Sequence, residues 1–171
     1  QVGVSYSGAK LIDEGGAPIG LDQQPKLTGV EASDIFQRNP VSKGSPPVIR
    51  RTVFDQIARP SSRHRGEEEW FDEHLRQSED IDCWLRIALQ TDWTFEGIAG
   101  ALTGYRVNAG GLSANIDKQF DSWIYVRNKV RKLAPAFARR WEAPAEAFQL
   151  RYLARRAVRM RDPGLALDLA L

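Results

Sequence analysis

Cysteine is almost absent from this chain: Cys83 is the only one among 171 residues, so no internal disulfide can form. Histidine is nearly as scarce. His64 and His74 are the only two, and both fall in an irregular charged stretch. A thiol nucleophile needs an activating imidazole. Cys83, set between Asp82 and Trp84, therefore reads as a small buried apolar residue, in keeping with a reducing compartment. There is no Cys/His metal spacing, no Gly-rich phosphate loop and no Gly-x-Ser-x-Gly elbow, which argues against three large reaction classes. No apolar run approaches the roughly 20 residues needed to span a bilayer, and no signal peptide opens the chain. The chain starts at Gln1 rather than Met and stops inside the apolar run Leu165 to Leu171, so both ends read as cut and the sequence as a fragment.

The length fits one domain with a small appendage, enough to bury a sizeable core. Net charge is only +2, but it is unevenly spread. Residues 1–117 carry 12 basic against 17 acidic side chains, whereas residues 118–171 carry 12 against 5. The basic tail is a candidate contact for an anionic lipid surface or another acidic partner, with solvated helix faces as the plainer explanation. Its arginines are not interleaved with an aromatic stacking platform, so no nucleic acid is expected.

Alternation of Val2, Val4 and Tyr6 with small or polar residues predicts a strand. Asp13-Glu14-Gly15-Gly16, between Leu11-Ile12 and Pro18-Ile19, predicts a hairpin turn. Thr28 with Glu31 three residues on predicts a capping box opening a short helix through Phe36, broken at Asn39-Pro40. After Ser45-Pro46-Pro47, a short strand at Val48-Ile49 and a short helix from Thr52 follow. Residues 59–69 lack apolar periodicity and read as a mobile loop. Trp93, Phe95 and Ile98 suggest one strand and Leu102 to Val107 another, with a loop at Gly110-Gly111. From Lys118 the chain reads helical, with an apolar stripe at Phe120, Trp123, Ile124, Val130 and Leu133. Pro135 interrupts it, Phe148 to Met160 resumes it, and Asp162-Pro163-Gly164 stops it.

The most informative stretch is Ser78-Glu79-Asp80-Ile81-Asp82-Cys83-Trp84-Leu85-Arg86-Ile87-Ala88-Leu89. Ile81, Trp84, Leu85, Ala88 and Leu89 recur at i, i+3, i+4, i+7 and i+8, one face of a helix. Glu79 and Asp80 stand at its start, where acids complement the positive end of the dipole. Ser and Asp at such positions ordinarily satisfy free backbone N–H groups. A carboxylate on that rigid edge can also serve as a base aimed into a cleft.

Ser-Glu-Asp followed by Trp-Leu-Arg-Ile-Ala-Leu resembles the Glu-Asp motif of family 2 glycosyltransferases with the GT-A fold. The likeness continues in the family's order. Val2 to Gly8 and Leu11 to Gly16 resemble the strand and hairpin after the donor site, and Val48 to Phe54 the strand-to-helix passage near the acceptor cleft. Leu102 to Asn108 with Gly110-Gly111-Leu112-Ser113 resemble the closing strand and the loop after it. Each match is weak alone; together they span residues 1–133. The resemblance implies an α/β fold, the C-terminal half of a GT-A domain: a mixed sheet with flanking helices over residues 1–117 and a helical extension over 118–171.

It further implies an inverting transfer from a nucleotide-sugar donor to a glycan, lipid-linked or protein acceptor. Asp80 would be the base and Glu79 an orienting or acceptor-binding neighbour. Arg50, Arg51, Tyr105 and Arg106 would bind substrate. A full-length enzyme of this kind uses a divalent cation, Mg or Mn; none is expected for this fragment, which lacks the donor half and should be inactive alone. Asp80-Ile81-Asp82 is formally Asp-x-Asp but opens a helix, so it is not assigned to metal. Asn108 stands where some relatives carry a metal-ligating His, and amide is a poor substitute for imidazole. The insertion at 59–69 departs from the family. The location expected is cytoplasmic, with peripheral contact at the inner face of the membrane through the basic tail. The alternative is a non-catalytic binding module in which the acidic pair only caps a helix.

Overall fold

The computed structural model describes residues 1–41, 47–61, 63–107 and 115–170. Asn108, the Gly110 to Ser113 loop and Ser45-Pro46 lie outside the described residues. The fold is mixed α/β: a four-stranded mixed sheet with helices, followed by a helical region.

Strand β1 (Val2–Ile12) is the spine of the sheet. It pairs in parallel with β6 (Thr94–Arg106) along its whole length. Its other edge is shared by β3 (Val48–Ile49), antiparallel at Val4 and Ser5, and β2 (Pro18–Gln23), antiparallel from Ala9 to Ile12. The β1–β2 turn forms at the expected place. Gly16 adopts φ +93°, and the Asp13 carboxylate accepts the Ala17 N–H at 2.8 Å.

Between β1 and β6 the chain builds three helices, α1 (Ala32–Arg38), α2 (Arg51–Ile57) and α3 (Glu79–Gln90). Helices α4 (Ile116–Leu133), α5 (Pro135–Arg159) and α6 (Pro163–Asp168) follow β6. One apolar core joins sheet and helices: Val4, Tyr6 and Phe95 meet Ile35 and Phe36 of α1, Trp84, Leu85 and Ile87 of α3, and Trp123, Val126 and Val130 of α4. Trp123 lies between Phe36 and Phe120, with ring centroids 6.1 and 6.0 Å away, and so packs within the core. A smaller cluster of Ile116, Leu153 and Ala157 seats α6 through Leu165 and Leu169.

Several elements differ from the sequence reading. The first helix is capped at Glu31, not Thr28, because the Asp34 carboxylate accepts the Glu31 N–H at 2.9 Å and is fixed there by Lys26. The two strands expected at 93–107 are one strand. Its register slips by two residues between Ile98 and Ala101, where Gly100 takes φ +103°, so a bulge re-phases the strand instead of ending it. Gly8 sits at the matching point of β1, where a Cβ would meet the Gln23 carbonyl oxygen at 2.6 Å. The 59–69 segment is closed at its base by a two-stranded ladder, β4 (Arg59–Pro60) on β5 (Glu68–Glu69). Pro135 begins α5 rather than breaking it, as proline does at a first helical position. The helix then runs through Pro144, because Ala138 and Ala145 on either side of it are buried in the core.

Candidate functional site

Helix α3 carries the candidate base. Six consecutive residues, Asp82 to Ile87, are buried, so the helix is walled on more than the one predicted face. Glu79 and Asp80, one turn earlier, are half-buried at its N-terminal edge. Ser78 precedes them with φ 62° and makes no side-chain cap, so the cap expected of it is not made. A left-handed non-glycine residue costs about 1 kcal/mol or more. Asp80 instead turns one oxygen onto the Ile81 N–H at 2.8 Å, and its other oxygen accepts the Asn39 side-chain amide at 3.2 Å. Asn39 is itself left-handed, φ 44°, where it ends α1. Two helix ends separated by 41 residues thus converge on one carboxyl group.

Both hydrogen bonds, and the helix dipole, favour the ionised form. They lose. Burial first, then the neighbouring Glu79 charge, push the Asp80 carboxyl up from 3.8 to about 6. The group therefore exchanges its proton close to neutrality, which an ordinary capping aspartate does not.

The four residues expected to bind substrate do not gather around it. Arg50 donates from Nε to the Val2 carbonyl at 2.8 Å, at the start of β1. Arg51 pairs with Asp55 at 3.0 Å, one helical turn on, and covers the Trp70 ring at 5.0 Å. Arg106 reaches the carbonyls of Asp13 and Glu14 at the far end of β1. An 11-residue strand rises roughly 3.3 Å per residue, so Arg50 and Arg106 are anchored about 30 Å apart. Tyr105 is half-buried beside Leu11 on the neighbouring strand.

A different constellation was not anticipated. On the other side of α3, Lys129 of α4 bridges Asp72 at 2.7 Å and Asp82 at 2.5 Å. Arg59 bridges Glu69 at 2.6 Å and Asp72 at 3.1 Å. Arg86 bonds Asp82 at 3.2 Å and donates to the carbonyls of Ile57 and Trp70. Glu69, Asp72 and Asp82 are nearly inaccessible, so each charge must be matched, and three cations match three acids. Burial would raise the Asp72 carboxyl, but the Lys129 ammonium, the His74 N–H and the Arg59 guanidinium outweigh it and hold the group well below the usual carboxylate range. The i, i+4 spacing of Asp82 and Arg86 is legible in the sequence; their tie to residue 129 is not.

This network floors a cleft of about 250 Å³ between α2, α3 and α4, walled also by Gln56, Leu85, Gln90, Val130 and Leu133. The cleft faces Asp82, not Asp80. Asp82 is committed to Arg86 and Lys129, and among the described residues no group of three or more His, Cys, Asp and Glu side chains could hold a metal ion. The described residues thus do not fit a divalent cation. Cys83 is wholly buried and its thiol is pushed up to about 12, chiefly by burial, which leaves it inert. Among the described residues no helix is long and apolar enough to cross a membrane. No protein family, no curated protein and no solved structure matches this chain.

Proposed function

We propose that this chain is the acceptor-side part of an inverting, family 2-like glycosyltransferase, with Asp80 as the base. The observation that carries the reading is the Asp80 carboxyl, shifted to about 6 on the rigid edge of α3. A base is most useful when its proton affinity lies near the working pH. In this reading Asp80 takes the proton from an acceptor hydroxyl as that oxygen attacks the anomeric carbon, and the bond to the nucleoside diphosphate breaks on the opposite face. Asn39 holds the carboxylate in place, and Glu79 both raises its basicity and faces the acceptor. The donor nucleotide sugar, and whatever neutralises its diphosphate, belong to residues outside this chain. Since the described residues do not fit Mg or Mn, no step here runs through a metal.

The acceptor is a glycan, a lipid-linked sugar or a protein hydroxyl. Arg51, two residues past β3, is held by Asp55 and Trp70, and Arg106 is spent on the β1–β2 turn, so neither is assigned to it. The test joins this chain to a donor-binding half and replaces Asp80 with Asn. Turnover should fall by about 100-fold or more, with folding retained. Unchanged turnover removes Asp80 from the reaction. Calorimetry of the chain alone with nucleotide sugar should give no heat of binding, and micromolar binding would overturn the division of labour. The second reading, a binding module, is favoured by one separate feature, the arginine-rich end of α5.

A further inference from the structure

Between Glu146 and Asp162 there is no acidic side chain, but there are five arginines: Arg151, Arg155, Arg156, Arg159 and Arg161. Arg156 is turned toward its own neighbours, with contacts to Gln119 at 3.4 Å and the Tyr152 hydroxyl at 3.2 Å. Arg155, Arg159 and Arg161 make no ion pair among the described residues. The nearest acids on α5, Glu142 and Glu146, are already taken by Arg127 and Arg131. At about 100° per residue, Arg151, Arg155, Val158 and Arg159 share one face, opposite the buried Leu153 and Ala157. Large apolar side chains stand exposed among and beside these cations: Tyr152, Val158 at 64%, Met160 and Leu167 at 60%.

Cations near a helix C-terminus stabilise it through the dipole, which accounts for Arg156 and Arg159 in the last turn. The dipole accounts neither for Arg151 and Arg155, two turns and one turn before Arg159, nor for the bare Val158, Met160 and Leu167. A polyanion such as RNA would satisfy the guanidinium groups and leave those apolar side chains in water. A bilayer surface takes both: arginines reach the headgroups while Val158, on the same face, enters the boundary below them.

We propose that the C-terminal end of α5, with α6, is a docking face for an anionic lipid bilayer, lying in its surface plane. This does not rest on the glycosyltransferase reading, and its test needs no turnover. The chain is mixed with vesicles of phosphatidylcholine alone, or with about 30 mol % phosphatidylserine, and separated by flotation. Binding is expected only to the anionic vesicles and should weaken as salt is raised. Each arginine near such a surface contributes roughly a fivefold gain, so Arg151→Gln with Arg155→Gln and Arg159→Gln should cut binding about 100-fold. Val158→Asp should also weaken it while the melting curve stays unchanged. Equal binding to both vesicles, no binding to either, or a triple variant that binds like the parent would overturn the proposal. So would tight single-stranded RNA binding that excludes vesicles and ignores Val158→Asp.

Discussion

Replacing Asp80 by Asn should make this protein more stable at neutral pH, and the gain should depend on pH in a set direction. The carboxyl has a pKa of 3.8 in its ordinary setting and about 6 in the folded chain. Between those values the folded form keeps a proton that the unfolded form has lost. Stability therefore falls as pH rises through that window. The penalty is absent below about pH 4 and complete above about pH 6 to 7. A shift of about two units corresponds to roughly 3 kcal/mol as an upper limit. Asn escapes that penalty but has one carbonyl oxygen where the carboxylate uses two, toward Asn39 and Ile81. Losing one such bond returns about 1 kcal/mol, so the net gain should be about 1–2 kcal/mol, or a few degrees in Tm.

Urea titrations of parent and variant at matched pH isolate the effect, because every other titrating group cancels in the difference. The variant should be weaker by about 1 kcal/mol at about pH 4, where only the lost bond counts, and cross over to its full gain above about pH 7. Parallel curves across the range, or an Asn variant weaker at neutral pH, would refute the reasoning and return Asp80 to the status of a helix cap. A base that costs stability where it works is the pattern expected of a catalytic group. Under the proposed function, the chain joined to a donor-binding half should show a rate that rises with pH through about 6, as Asp80 loses its proton.

Lys129→Met leaves both Asp72 and Asp82 short of a cation in a buried setting, and should cost about 3–5 kcal/mol in urea unfolding. Because the Asp72 pKa is depressed, its own contribution in the parent is complete above the ordinary carboxylate value and is lost only as strong acid reaches the folded value. Gly8→Ala drives a Cβ to 2.6 Å from the Gln23 carbonyl, and calorimetric melting should show a loss of about 1–3 kcal/mol. Cys83 should stay unlabelled by a thiol reagent in the native protein at neutral pH and react in urea; rapid labelling of the native form would contradict its burial.

The parts of the fold that were legible are those where a local rule has no competitor. Alternation at Val2, Val4 and Tyr6 and the Asp13 to Gly16 turn gave β1 and its hairpin, because pleat and turn geometry act over a few residues. The 3.6-residue period at Ile81 to Leu89 gave α3. What was illegible is what the tertiary environment decides. The Gly100 bulge that fuses two apparent strands exists because β1 supplies one continuous partner for both. The course of α5 through Pro144 is secured by burial of Ala138 and Ala145, which outweighs one missing backbone bond. At the site, Glu79 and Asp80 were visible as helix-start acids, but Asn39 was not, since only the packing of α1 on α3 brings it to the carboxyl.

The same limit explains why two aspartates two residues apart on α3 have opposite fates. Asp80 and Asp82 sit about 200° apart around the helix axis, so they face different surroundings. Asp82 meets Arg86 and Lys129 and is neutralised where it stands. Asp80 meets a neutral amide and a second carboxylate, and keeps its proton up to about pH 6. One sequence triplet, Asp80-Ile81-Asp82, thus divides between an anchor for α4 and a group left free to titrate. The anchor matters to the titrating group, because Asp82 fixes the first turn of α3 on which Asp80 stands. Loosening it through Lys129→Met should therefore let water reach the Asp80 carboxyl and bring its pKa back toward the ordinary value. Direct NMR titration of Asp80 would read that return, and an unchanged midpoint would show that the two sides of the helix are independent.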